Sequence, residues 1–173
     1  MRSVAVYWWK LAAAVLVAAT EAYAQETQAP SRRIVVSIPD RQMAVVEDGR
    51  IVKTYPVAVG SPRSPSPVGI YRITTRVVNP AWYQPGKVVP PGPENPLGPR
   101  WIGLDRKGYG IHGTNSPRSI GGAKSRGCIR MRNADVVELF ERVAIGDVVE
   151  LRRLPMAELQ KVLASSEILL AER

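Results

Sequence analysis

The chain contains one histidine and one cysteine, and both lie in a glycine-rich stretch. His112 falls in the run Ile111 to Asn115, and Cys128 follows sixteen residues later in the run Ser125 to Met131. A thiol becomes a strong nucleophile near neutral pH when a base removes its proton, and imidazole suits that task. If the intervening loop folds back, the chain has one nucleophile and one base for acyl transfer.

The same pair has two other interpretations. Zinc takes three or four protein ligands, usually from cysteine and histidine. The chain has one of each and no carboxylate between them, so neither a metal nor another cofactor is expected. The second alternative is structural, with His112 as a hydrogen-bonded core residue and Cys128 as a small apolar one.

The surroundings of the pair favour chemistry over that structural alternative. Glycines let a substrate approach the backbone closely, and four lie in this loop: Gly113, Gly121, Gly122 and Gly127. Arg126 and Arg130 bracket the thiol, and positive charge favours the thiolate form. These features predict a cysteine acyl-transfer site.

Six ordered blocks then resemble the catalytic domain of the L,D-transpeptidases (YkuD type). The blocks are Glu47–Arg50, Tyr55–Gly60, Ser66–Gly69, Asn95–Trp101, Ile111–Asn115 and Ser125–Met131. The resemblance covers about residues 33–152. It implies a mainly β, β-sandwich-like catalytic domain with one helix after the cysteine loop and a C-terminal helix over residues 153–173.

The resemblance also implies roles for individual residues. Cys128 would attack the bond between diaminopimelate and D-Ala in a tetrapeptide stem of peptidoglycan. His112 would serve as general base and acid, with its ring oriented by the main-chain carbonyl of Gly113. The N–H groups of Gly127 and Cys128 would hold the oxyanion. The thioester would then pass to an amine of another stem or of an envelope protein.

One position departs from the family pattern. Many members have Ser-His-Gly-Cys, whereas here Arg126 precedes Gly127. The nucleophile and base are unaffected, so the doubt concerns substrate handling. Arg126 and Arg130 are expected to bind stem carboxylates, with Ser125 beside them, and structural ion pairs are the alternative for both arginines.

Two further functions use the same residues. Water could resolve the thioester instead of an amine, which would make the protein an L,D-carboxypeptidase or endopeptidase. Alternatively, the domain could bind the cell wall without catalysis, with an inert thiol.

Alternating apolar residues predict a β-rich front to the domain. Ile34, Val36 and Ile38 alternate, and Gln42–Glu47 reads as a second strand. Asp48-Gly49 is a strong hairpin signal, and a third strand is predicted over Arg50–Val59. After a turn over Gly60–Pro67, Gly69–Val78 alternates again, which completes a predicted β-meander.

The segment Asn79–Arg100 contains seven prolines, so no regular structure is expected there. Long loops of this kind are often functional, and the aromatic side chains of Trp82, Tyr83 and Trp101 would wall a substrate groove or simply pack on the sheet.

Five elements, three strands and two helices, are predicted beyond this loop. Short strands over Trp101–Leu104 and Tyr109–His112 lead into the cysteine loop. A helix capped by Asn133 extends to Val143, and Asp147–Leu151 forms a closing strand. The last helix starts at Pro155, with Leu159, Val162, Leu163 and Leu170 as its apolar stripe.

Residues 1–24 have the features of a cleaved signal peptide: early positive charge, the apolar run Leu11–Ala19, and Ala22-Tyr23-Ala24 before the expected cleavage site. A membrane anchor is the alternative, but the run is short for a span. Residues 25–32 are then expected to be a disordered leader. These features predict a periplasmic protein with no membrane span after cleavage.

The chain carries a formal charge of +9, and +8 remains once residues 1–24 are removed. Scattered arginines often only solubilise a surface. An exported protein without a recognition motif is not expected to bind nucleic acid, whereas an anionic envelope polymer suits both the charge and the compartment.

Overall fold

The computed structural model describes residues 32–171, with side chains to residue 163. The predicted signal peptide and all but the last residue of the predicted leader lie outside this range. That last residue, Arg32, is already part of the first strand.

Twelve strands and two α-helices make up the described part of the chain. The strands are β1 Arg32–Ser37, β2 Gln42–Glu47, β3 Arg50–Pro56, β4 Val59–Gly60, β5 Gly69–Val78, β6 Trp82–Gln84, β7 Lys87–Val89, β8 Arg100–Leu104, β9 Gly110–His112, β10 Ala123–Ser125, β11 Ile129–Arg130 and β12 Val148–Arg152. The helices are α1 Asn133–Arg142 and α2 Met156–Ala171. A short 3-10 turn covers Pro117–Ser119. The mainly β prediction with one helix after the cysteine loop and one at the C-terminal end is confirmed.

Eight strands form one curled sheet in the order β11-β9-β8-β5-β12-β1-β2-β3. The predicted meander is correct only for β1, β2 and β3. β5 does not join β3, because β12 lies parallel to β1 and antiparallel to β5, between the two. Two-stranded sheets of β4 with β10 and of β6 with β7 complete the fold.

The predicted third strand, Arg50–Val59, is wrong at its C-terminal end. β3 ends at Pro56, and Ala58 then exchanges two backbone hydrogen bonds with Arg130, at 2.8 and 2.9 Å. The chain leaves the hairpin here and pairs with the segments around Cys128. This pairing connects the β1–β3 strands to the segment that carries Cys128.

The proline-rich segment contains regular structure that the sequence analysis did not expect. β6 and β7 form an antiparallel hairpin around Pro85-Gly86, where Gly86 has a φ of 73°. A type II turn requires positive φ at its third residue, which Gly86 supplies, and proline is common at its second residue. The prolines flank the two strands rather than occupying them, so the ladder keeps its N–H donors.

Asn95 ties this segment together from within. Its buried side-chain amide donates to the carbonyls of Pro80, Val89 and Pro90 at 2.8 to 3.1 Å, and its Oδ1 accepts the Leu97 N–H at 2.8 Å. One side chain therefore satisfies four backbone groups of a proline-rich segment that has few N–H donors of its own.

The apolar core has two layers, one on each face of β1 and β2. Ile34 and Val36 belong to the larger layer, which also takes in Val136, Leu139 and Phe140 of α1. The smaller layer contains Val35 together with Ala44, Val46, Met156, Leu159 and Leu163. Both faces of these two strands are covered, which explains their uninterrupted apolar runs.

Both helices differ from their predictions at particular residues. Arg132, not Asn133, is the N-cap of α1, and Asn133 Oδ1 accepts the Thr114 N–H at 2.8 Å instead. In α2, Leu159 and Leu163 are buried as predicted, but Val162 is exposed. Leu170 lies beyond the described side chains. Within residues 32–171, neither helix has the length and apolarity needed to cross a membrane.

Candidate active site

One row of the curled sheet brings the predicted site residues together. Trp101 on β8 pairs with His112 on β9, and His112 pairs with Arg130 on β11. Directly paired residues project from the same face of a sheet. Cys128 lies two residues before Arg130, at the entrance to β11, and therefore lies on that face as well.

A cleft of about 780 Å³ opens over this row. The thiol and the imidazole both line this cleft, so they lie on one side of the molecule, as the proposed pairing of nucleophile and base needs. Its walls also include Trp82, Tyr83, Trp101, Arg126, Arg130 and Ser125, with apolar contributions from Val77, Pro80, Ala81, Pro96 and Leu97. The hairpin β6–β7 thus supplies part of one wall.

The imidazole of His112 is fixed in one tautomer. Its Nδ1 lies 2.7 Å from the carbonyl oxygen of Gly113, and a carbonyl can only accept, so Nδ1 carries the proton. Trp101 stacks on the ring with centroids 5.7 Å apart. Nε2 is therefore the nitrogen with a free lone pair, the state needed for a base.

Burial lowers the pKa of His112 from 6.5 to about 4. The Gly113 carbonyl opposes this shift because it stabilises a protonated ring, and the charge of Arg130 lowers the pKa further. At neutral pH the ring is uncharged and able to accept a proton.

Asn133 packs against Gly113 and holds the peptide group that joins Gly113 to Thr114. A Cβ on Gly113 would lie 2.5 Å from Asn133 Oδ1 and 2.9 Å from Pro99, so only glycine fits there. The Asn133 side chain accepts the N–H of the next residue, Thr114. The start of α1 therefore fixes the carbonyl that orients the histidine.

The thiol of Cys128 is less activated than the sequence analysis expected. Burial raises its pKa, and this outweighs the backbone hydrogen bond from Gly110 and the charge of Arg130, which both lower it. Its Sγ donates to the Gly108 carbonyl at 3.5 Å. Arg130 lowers the pKa of the thiol as the sequence predicts, but burial has the larger effect, so the net shift favours the thiol over the thiolate. The site rests as a neutral thiol beside a neutral imidazole.

The loop that presents Cys128 is built by two serines. Ser125 Oγ donates to the Cys128 carbonyl and accepts the Gly127 N–H at 3.0 Å. Ser66 Oγ donates to the Gly127 carbonyl at 2.9 Å and accepts the Gly60 N–H. Gly127 has a φ of 107°, and a Cβ there would lie 2.7 Å from the Tyr109 ring.

These contacts change two predicted roles. Ser125 lines the cleft, but it is buried and its hydroxyl is bonded to the loop backbone, so that hydroxyl shapes the loop that carries Cys128. The Gly127 N–H is also occupied by Ser125, which leaves the Cys128 N–H as the remaining predicted oxyanion donor. Arg126 is exposed at the cleft, and Arg130 is partly buried in it.

Sequence reasoning missed three contributors to the site. Ser66 lies in one of the blocks that carry the family resemblance, but nothing in the sequence pairs it with Gly127. Asn133 was interpreted as a helix cap, and Gly110 shows no signal apart from its position two residues before His112. Among the side chains that the structure describes, residues 32–163, no three of His, Cys, Asp or Glu lie close enough to hold a metal ion.

The fold and the site together define this class of protein: it is a mainly β domain whose curled sheet carries one thiol and one imidazole in a cleft. A family model for the L,D-transpeptidase catalytic domain, YkuD, matches residues 31–151. The chain belongs to this family.

Known relatives agree with this assignment. The putative L,D-transpeptidase YkuD of Bacillus licheniformis is 44% identical over 119 residues, covering 69% of this chain and 64% of that protein. The putative L,D-transpeptidase YqjB of Bacillus subtilis is 40% identical over 118 residues, which cover 65% of this chain and 66% of that protein. The chain thus spans just under two thirds of the length of these relatives.

A solved structure shows the same fold. The X-ray structure of an L,D-transpeptidase from Mycobacterium tuberculosis matches with a TM-score of 0.60 and 21% identity, covering 71% of this chain and 58% of that one.

Proposed function

We propose that the protein is an exported cysteine L,D-transpeptidase acting on peptidoglycan stem peptides. The observation that carries this proposal is one cleft that holds the chain's single thiol and single imidazole, with Nδ1 of the ring fixed by Gly113. Family membership supplies the reaction class, and the cleft supplies a nucleophile and a base for it.

In the first step Cys128 Sγ attacks the carbonyl that joins the L-centre of diaminopimelate to D-Ala. The Sγ proton passes to His112 Nε2 as the C–S bond forms. No thiolate–imidazolium pair is therefore needed before the attack. The tetrahedral intermediate collapses, the C–N bond breaks, and the D-Ala amine leaves with the proton from Nε2. A thioester on Cys128 remains.

In the second step an amine attacks the thioester carbonyl. His112 takes a proton from the amine, the new C–N bond forms and the C–S bond breaks. The proton then returns to the sulfur. A diaminopimelate amine on another stem yields a 3–3 cross-link, and a lysine of an envelope protein would give protein attachment.

The cleft walls suit a peptide donor. Trp82 and Trp101 offer flat apolar surfaces, and the guanidinium groups of Arg126 and Arg130 suit the carboxylates that line a stem peptide. Residues 1–24, as a signal peptide, would deliver the domain to the periplasm, where these stems are found. The stem peptides are its proposed partners.

The deciding experiment is a product assay. The purified protein is incubated with disaccharide-tetrapeptide, and the products are identified by mass spectrometry. Cross-linked dimers together with released D-Ala are expected. Tripeptide and D-Ala without dimers would instead indicate an L,D-carboxypeptidase, because water would then resolve the same thioester.

Variants of the two reactive residues test the mechanism. Cys128→Ala should abolish both products, and a carbapenem should add its mass to the wild-type protein but not to this variant. His112→Gln should slow alkylation of Cys128 by iodoacetamide. Binding to purified cell wall without any thioester, released D-Ala or cross-linked dimers would favour a non-catalytic wall-binding module.

A further inference from the structure

A second cleft, of about 630 Å³, lies next to the loop that carries Cys128. None of its walls is shared with the first cleft. It is lined by the segment 63–68, which joins β4 to β5, together with Arg106, Tyr109 and Arg153. From the sequence, this segment is predicted to be a turn, and its last residues fall in a block that resembles the family.

The walls of this cleft touch the nucleophile loop directly. The Tyr109 ring packs against Gly127, and Ser66 Oγ donates to the Gly127 carbonyl. Gly108, one residue before Tyr109, lines the first cleft and accepts from Cys128 Sγ. Cys128 therefore lies next to the boundary between the two clefts.

The second cleft is positively charged. Arg63, Arg106 and Arg153 come from three separate parts of the chain, and no acidic side chain lines the cleft with them. Among the described residues, the ion pairs of arginine involve Arg32, Arg33, Arg142 and Arg152 instead. Arg106 is held over the Tyr109 ring, 4.9 Å from its centroid.

We propose that this cleft binds the carboxylates of the acceptor stem peptide, whose amine resolves the thioester on Cys128. Guanidinium groups bind carboxylates with two parallel hydrogen bonds, which fixes the direction of the bound peptide. With the donor in the first cleft, an acceptor whose carboxylates are held here would extend its amine past Tyr109 and Gly108 to Cys128 and His112, which line the first cleft. This inference rests on the proposed transpeptidase function.

The test separates acylation from transfer. Arg63→Gln and Arg153→Gln remove charge from the cleft, and Arg118→Gln, in the exposed turn Pro117–Ser119, is the matched control. Formation of the thioester from disaccharide-tetrapeptide is followed by intact mass, and transfer by the rate at varied acceptor concentration. The two cleft variants should raise the acceptor KM by about tenfold each, as expected for a lost charged hydrogen bond, with acylation unchanged. The control should alter neither.

A second acceptor identifies the recognised group. An acceptor stem with its carboxylates amidated should show the raised KM already with the wild-type protein, and the arginine variants should add nothing further. An unchanged acceptor KM in both variants would overturn the inference, as would an equal loss of acylation and transfer. Absence of any thioester in the wild-type protein would instead overturn the proposed function, and the inference with it.

Discussion

His112 and Cys128 line a cleft in which burial, rather than the neighbouring arginines, sets their protonation. Burial raises the pKa of the Cys128 thiol and lowers that of the His112 imidazole to about 4. Both shifts favour the uncharged forms. In the proposed reaction the proton would therefore move from sulfur to Nε2 during the attack, because both groups start uncharged.

The pH profile of the enzyme should reflect this neutral pair. The imidazole accepts a proton only while unprotonated, so activity is lost as pH falls through the pKa of His112. The acidic limb of kcat/KM for thioester formation should therefore have its midpoint near pH 4 rather than 6.5. A stopped-assay profile from pH 3 to 8 measures this, and a midpoint at 6 or above would contradict the neutral, buried ring.

Arg130 offers an independent check on the same profile. Its charge lowers the pKa of both His112 and Cys128, so Arg130→Gln should move the acidic limb to higher pH. Arg132→Gln, an exposed arginine two residues away, should leave the limb in place.

At the scale of elements, the start of α1 orients the histidine through Asn133. Asn133→Ala removes the acceptor of the Thr114 N–H, and the Gly113 carbonyl is then less firmly held. We expect kcat for thioester formation to fall about tenfold with KM nearly unchanged, because the ring loses orientation while the cleft stays intact. Asn133→Asp keeps an acceptor oxygen and should restore most of the rate. A purely structural role would lower stability in Asn133→Ala without this kcat effect.

The hairpin β6–β7 and its surrounding loop depend on Asn95. Asn95→Ala leaves three carbonyls and one N–H without their partner, so the free energy of unfolding should fall by about 2 kcal/mol. The donor KM should also rise, because this segment forms a wall of the cleft. Asn115→Ala is the matched control, since its exposed amide donates to a carbonyl of the same segment. Equal effects of the two changes in urea unfolding would contradict the role given to Asn95.

These elements show which parts of the fold follow from sequence alone. The Asp48-Gly49 hairpin and the helix after the cysteine loop are predicted from local patterns, and both are confirmed. The placement of β12 beside β1 joins residues more than a hundred positions apart, and no local pattern specifies it. For the same reason, the hydrogen bonds of Ser66 and Asn133 could not be predicted, because their partners lie 61 and 19 residues away. The thiol and imidazole could be paired in advance because the chain offers one of each.

At the scale of the whole molecule, both clefts are lined by arginines. Arg126 and Arg130 line one cleft, and three more arginines line the other. A charge of +8 after removal of residues 1–24 would add a long-range attraction to an anionic wall polymer. Short-range recognition would then fall to the arginines that face each cleft.

This division predicts how wall binding responds to salt. The screening length falls from about 10 Å at 0.1 M salt to about 3 Å at 1 M, so the long-range attraction is lost over that range. The fraction of protein that sediments with purified sacculi should therefore drop steeply as salt rises. Sacculi with amidated carboxylates serve as the control and should bind weakly at every salt concentration. Binding that does not change with salt would show that neutral contacts in the clefts hold the protein on the wall, and that its net charge contributes little.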